Sequence, residues 1–228
     1  MKLVLGPPSM SIDFEFTLFK THGKFTIVDG KLSCPIRNFG LYFSGGLDSA
    51  ALLCLMIEER KSLKLDTPLT AFTVYKNEFS TLHARKALDA IEKHYDIHVD
   101  HVTDIPNDPD ANIKGNLGSN AMKFVSEYKP HMLLYMGINR MAPDDVRPFK
   151  EKLNIDYGFS TVSKHYRAPF LFLHKPHIVD IFYKLNCEDI IPYTQSCSVL
   201  KQGKCGQCYA CKEREWGFTL LGKVDPAH

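Results

Sequence analysis

The chain has 228 residues, 44% hydrophobic and 24% charged, with a formal net charge of +2. That length allows one domain with its own core and no disulfide staples, and the even charge balance gives no support for a broad basic nucleic-acid face. No stretch approaches the roughly 18 apolar residues of a membrane span, and Met1-Lys-Leu-Val-Leu-Gly-Pro-Pro is too short and proline-broken for a signal peptide, so a cytoplasmic protein is expected.

In chain order, Ile12–Phe19 alternates apolar and polar residues, Thr21-His-Gly23 reads as a turn, and "KFTIVDG" runs back. This predicts a β-hairpin bent at Gly23. It serves either as an edge cover for the core or as a partner-binding device. From Phe39 onward strands and helices alternate. "GLYF" leads into a helix over Leu47–Glu59, "LTAFTVY" is a buried strand, and "STLHARKALDAIEKHY" a helix capped by Ser80. "IHVDHVTDI" is a third strand, and "GSNAMKFVSEYK" a helix halted by Pro130 before the strand "HMLLYMGIN". "APFLFL" is a strand or loop, and "KPHIVDIFYKLN" a helix. Such alternation predicts an α/β fold, a parallel sheet flanked by helices on both faces, with ligands at the carboxyl ends of the strands. The segments expected are an N-terminal hairpin extension over 1–38, a main α/β domain over 39–195, and a cysteine-bearing tail over 196–228 packed on that domain.

Where the first strand of this alternation meets its helix stands "FSGGLDSA". Neither G-x-x-x-x-G-K-[ST] nor G-x-G-x-x-G occurs in the chain. Gly45 and Gly46 allow close backbone approach to an anion, and the helix that follows aims its N–H groups and dipole at the same place. Ser44 and Ser49 can add hydroxyl donors. Asp48 repels phosphate, so it either holds Mg²⁺ or orients the N–H groups of the loop. A helix end contributes only about 0.3–2 kcal/mol towards a nearby charge, so cationic side chains and metal are expected to converge there.

Seven cysteines are present, and four of them, Cys197, Cys205, Cys208 and Cys211, are spaced C-x7-C-x2-C-x2-C near the end. In a reducing compartment that crowding points to metal rather than to disulfides. Four thiolates complete a tetrahedral, structural Zn²⁺ site. An iron–sulfur cluster is the weaker alternative, because the ferredoxin run places its fourth cysteine three residues later, before proline. Here Cys211 precedes Lys-Glu-Arg.

"SGGLDS" after a strand resembles the pyrophosphate loop of the N-type ATP pyrophosphatases, the PP-loop superfamily of adenine nucleotide alpha-hydrolase-like fold. "YTQSCS", "KCGQCYACKER" and "WGF" together resemble the ending of the QueC family, the 7-cyano-7-deazaguanine (preQ0) synthases. "APFLFLHKPHIVDIFYKL" is similar to a further segment of that family and brings Lys175 to the basic position aimed at phosphate. The likeness spans roughly 39–218. It implies an ATP-dependent, C–N bond-forming ligase of queuosine biosynthesis that adenylates 7-carboxy-7-deazaguanine, takes up ammonia and releases AMP and pyrophosphate. Implied for ATP and pyrophosphate are Ser44, Gly45, Gly46, Leu47, Asp48, Ser49, Val74 and Lys175, with Asp48 and Lys175 catalytic. Asn116, Gly137, Asn139, Asp144, Arg147 and Phe149 are implied for the acceptor, and the four tail cysteines for structural zinc. The implied partners are the small acid and ammonia, with neither nucleic acid nor membrane, and a homodimer is an admissible assembly.

Departures from the family lie in substrate-facing parts. "VYKNEFSTLHARKA" replaces a Tyr-Gly-Gln-Arg-like run, "IKGNLGSN" lacks an arginine, and "GINRMAPDDVRPF" lacks a cysteine and carries Arg147 one place late. An adenylating enzyme acting elsewhere is therefore the alternative: an amide-forming deazaguanine ligase, or a modifier of a tRNA base or of an anti-phage-type macromolecular target. A catalytically silent zinc-containing interaction module is the third reading, and the intact "SGGLDS" argues against it.

Overall fold

The computed structural model of the protein describes residues 1–17, 26–28, 31–33, 38–75, 78–106, 132–143 and 166–227. Strands β1 (Lys2–Leu5) and β2 (Ile12–Glu15) pair antiparallel, as do β3 (Thr26–Val28) and β4 (Lys31–Ser33). The N-terminal hairpin thus exists, but the partner of β2 is β1, not the strand at 24–30 expected across Gly23. A period-2 pattern fixes which face a strand buries, not which neighbour it chooses. Leu5 and Phe16 are buried in the core, and this anchors the hairpin.

Central strand β5 (Asn38–Tyr42) pairs with β6 (Leu69–Tyr75) on one side and β8 (Met132–Met136) on the other. Beyond β6 lies β7 (Asp100–Pro106), and beyond β8 the two-residue β9 (Tyr166–Arg167). All four pairings are parallel, and the order is β7-β6-β5-β8-β9. The chain leaves β5 towards β6 and later returns beside β5 as β8. The carboxyl end of β5 is therefore a topological switch point, where open α/β sheets form a crevice. "SGGLDS" occupies that end.

Helix α1 (Leu47–Ser62) is buried nearly all round, at Leu47, from Ser49 through Ile57 and again at Glu59, because "ALLCLMI" carries no polar stripe. Cys54 packs within it, fully buried. In α2 (Glu78–Tyr95) Ala84, Ala87, Leu88, Ile91 and Tyr95 form one apolar face at helical spacing. Ser80 lies inside this helix rather than capping it. Helix α3 (Lys175–Lys184) starts with Pro176 in its first turn, where a missing N–H costs nothing, and buries Ile178, Val179, Ile181 and Phe182. Helix α4 (Tyr209–Leu220) packs on α3 and buries Cys211, Glu213, Arg214, Gly217 and Phe218. "APFLFL" forms turns after β9. The helix expected over 118–129 lies outside the described residues. No described helix is long and apolar enough to cross a membrane.

Candidate functional site

Backbone bonds at the end of β5 fix the start of the glycine loop. The N–H of Phe43 donates to Phe72 O at 2.8 Å, and the Thr73 hydroxyl donates to Phe43 O at 2.6 Å. Thr73 has only that one proton, so the 2.8 Å contact to His101 Nε2 is a bond donated by the imidazole. Burial, and then the Arg85 charge, hold His101 below its usual range, consistent with a neutral ring. Gly45 has φ +74°, and a Cβ there would meet the His83–Ala84 backbone of α2 at 2.6 Å. Only glycine takes that conformation in that space. Ser49, almost fully buried, donates its hydroxyl to Gly46 O at 3.1 Å and accepts the N–H of Ser44 at 3.3 Å. It closes the loop from within, while Ser44 is exposed. Leu47 buries its side chain in the core and leaves its backbone to the first turn of α1.

Asp48 stands in that first turn, and Lys175 Nζ meets its Oδ1 at 2.5 Å. Glu213 Oε2 lies 3.1 Å from the same nitrogen. The Lys175 side chain is only 5% exposed, which rules out a solvated helix-start lysine; that of Asp48 is 27% exposed. Burial alone would lower the Lys175 pKa, but Asp48 and then Glu213 outweigh it and raise it. Asp48 is pushed up by burial, with Lys175 opposing and Glu213 reinforcing the shift. Gly217 makes the geometry possible, since a Cβ on it would sit 2.8 Å from Lys175 Cγ. Gly137 likewise lets the end of β8 lie on the Asp48–Ser49 peptide, where a Cβ would come within 3.0 Å.

The four tail sulfurs lie within 4.8 Å of one another, with Cys205–Cys211 at 3.9 Å and Cys208–Cys197 at 4.0 Å. Zn–S bonds of about 2.3 Å put tetrahedral sulfurs about 3.8 Å apart, so the donor set fits zinc. Backbone N–H groups of Leu200 and Cys208 donate to Cys197 Sγ and Cys205 Sγ, each at 3.2 Å, as support for thiolate ligands requires. Gln195 joins this centre to the glycine loop. Its N–H donates to Gly45 O at 2.9 Å, and its side-chain amide to Gly203 O at 2.7 Å. A cavity of about 310 Å³ lies behind the cysteines, beside Arg214 and Asp225, rather than at the glycine loop.

The asparagine synthase family model matches residues 36–107, which carry the glycine loop. That of queuosine biosynthesis protein QueC matches 120–222, which carry Lys175 and the cysteines. Together they support a PP-loop protein. The supported activity is that of an ATP-dependent enzyme of the ligase or synthetase type. No curated protein matches the chain. Among solved structures, NMN synthetase from Francisella tularensis is similar at 17% identity and a TM-score of 0.46, over 83% of this chain and 79% of that one.

Several expected residues of the PP-loop site do converge. Ser44 to Ser49, Lys175, Gly137 and Asn139 gather at the carboxyl edge, and Val74, next to last in β6, lies on the same edge, packed against the small cluster of Phe72, Ile105 and Leu134. Asn139 is already engaged, donating to Glu213 Oε1 at 3.2 Å and to Arg140 O at 3.0 Å. Asn116, Asp144, Arg147 and Phe149 lie outside the described residues, as does Cys34. Sequence reasoning missed Glu213, Thr73, His101 and Gln195. The only signal for Glu213 was a carboxylate two residues after a cysteine of the expected metal site.

Proposed function

We propose that the chain is a QueC-like, ATP-dependent ligase that adenylates 7-carboxy-7-deazaguanine and uses ammonia to form 7-cyano-7-deazaguanine. The observation that carries this reading is the buried Lys175, within the stretch matched to QueC, meeting Asp48 at the first turn behind the glycine loop. Two carboxylates there face one ammonium, and the surplus negative charge suits Mg²⁺ held by Asp48. Backbone N–H groups at the start of α1 and the Lys175 ammonium receive the charge on departing pyrophosphate.

A carboxylate oxygen of the acceptor attacks the α-phosphorus, and the bond to the bridging oxygen of pyrophosphate breaks. Ammonia then adds at the acyl carbon and AMP leaves, giving the amide. A second adenylation on the amide oxygen, followed by loss of AMP and protons, gives the nitrile. Protein side chains form no covalent bond in this sequence; they orient and stabilise charge.

Incubation with 7-carboxy-7-deazaguanine, ammonium and Mg·ATP is expected to yield AMP, pyrophosphate and a product lighter than the acid. ADP and phosphate instead would rule out adenylation. The missing cysteine and displaced Arg147 of "GINRMAPDDVRPF" favour, as a second reading, the same activation of a different acceptor. AMP release with another carboxylate or a macromolecule, and none with the deazaguanine acid, would select it.

A further inference from the structure

Asp48 alone would balance the charge of Lys175, yet a second carboxylate, from the neighbouring helix α4, also reaches it. Glu213 has 6% of its side chain exposed, and a carboxylate so far from water persists only where it is well paired. Both its oxygens are occupied. Oε2 faces Lys175 Nζ at 3.1 Å, and Oε1 accepts from the Tyr209 hydroxyl at 2.8 Å and from Asn139 Nδ2 at 3.2 Å. The Tyr209 hydroxyl in turn accepts the N–H of Ala142 at 3.1 Å. Residues 137–142, which leave β8 at the carboxyl edge, are thereby tied to the same carboxylate as the lysine. One turn further along α4, Gly217 brings the helix against the Lys175 stem.

From this geometry we propose, resting on the adenylating role given above to Lys175 and Asp48, that Glu213 is a positioning residue. It fixes the lysine ammonium beside the glycine loop and fastens the segment after β8 to the same point. Asp48 approaches from the loop side and Glu213 from the tail side, so Nζ is located by two bonds rather than one. Among the described residues, the charged groups that act on Lys175 are Asp48 from α1 and Glu213 from α4, with Arg214 of α4 acting on Asp48. Asn139, after β8, is uncharged. Removing the Glu213 charge therefore leaves a buried lysine with one counter-ion and a looser position.

The test uses the full chain labelled with ¹³C-lysine, the Lys175 signal being assigned by its loss in Lys175→Arg, with every spectrum taken at one fixed pH. Glu213→Gln should shift and broaden the Lys175 signal, because the ammonium loses one of its two bonds. Glu213→Asp keeps the charge but withdraws it by one methylene, so it should give a smaller change, and it replaces Glu213→Gln if the latter does not fold. In parallel, Glu213→Gln should lower kcat for AMP formation roughly tenfold while KM for ATP changes less than about threefold, the pattern of an interaction realised in the transition state. A Lys175 signal unchanged in position and width in a folded variant overturns the positioning role. A changed signal in a protein that neither binds Mg·ATP nor releases AMP upholds that role and overturns the adenylation reading.

Discussion

Asp48 stands at the start of the helix after the glycine loop, meets the buried lysine and keeps 27% of its side chain exposed, and on the proposed reading it is the residue that would hold Mg²⁺. Asp48→Ala is expected to abolish AMP and pyrophosphate release while leaving the circular dichroism spectrum unchanged; undiminished turnover would remove the carboxylate from the mechanism. The sequence made Asp48 legible, since an acid inside a phosphate-binding loop demands a reason. Lys175 was legible too, through the segment around it. Glu213, Thr73 and Gln195 were not. Each has a partner more than 25 positions away, Gln195 through its backbone N–H, and so remote a contact leaves no local period, cap or spacing to read. Thr73 looks like any β-branched strand residue until its hydroxyl is seen on Phe43 O.

Helix α4 does more than carry Cys211 of the sulfur cluster. Arg214 donates to Asp225 at 2.9 and 3.0 Å, to Thr194 Oγ1 at 2.8 Å and to Ser196 Oγ at 3.1 Å, clamping the helix to the segment before Cys197 and to the last residues of the chain. Both charges are largely out of water, at 6% and 11% exposure. Breaking a buried pair by removing one partner costs about 3 kcal/mol, because the other charge is left uncompensated. Asp225→Ala is expected to lose that amount in urea unfolding, and a loss below about 0.5 kcal/mol would mean the pair behaves like a surface one. The elements themselves were mostly readable. Apolar spacing located α1, α2, β5, β6 and β7, and tail spacing located the sulfur cluster. The pairing of β1 with β2 was not, since "KLVL" is four residues long and names no partner.

Across the whole molecule, glycine loop, lysine helix and cysteine tail form one connected body. Structural zinc in a four-thiolate site contributes on the order of 10 kcal/mol or more, comparable with the stability of a complete domain. Purified protein is expected to contain about one zinc per chain, and a strong chelator to melt the tail and slow AMP release together. Iron in place of zinc, or full activity after chelation, would overturn that assignment. The brace formed by Gln195 has a consequence for ligand capture. Fixing a backbone residue costs about 1–2 kcal/mol in entropy, and glycines lose the most. Because Gln195, Ser49 and Thr73 already hold Gly45 and its neighbours, that ordering falls on folding, and an incoming anion meets a preorganised cradle instead of having to freeze one around itself.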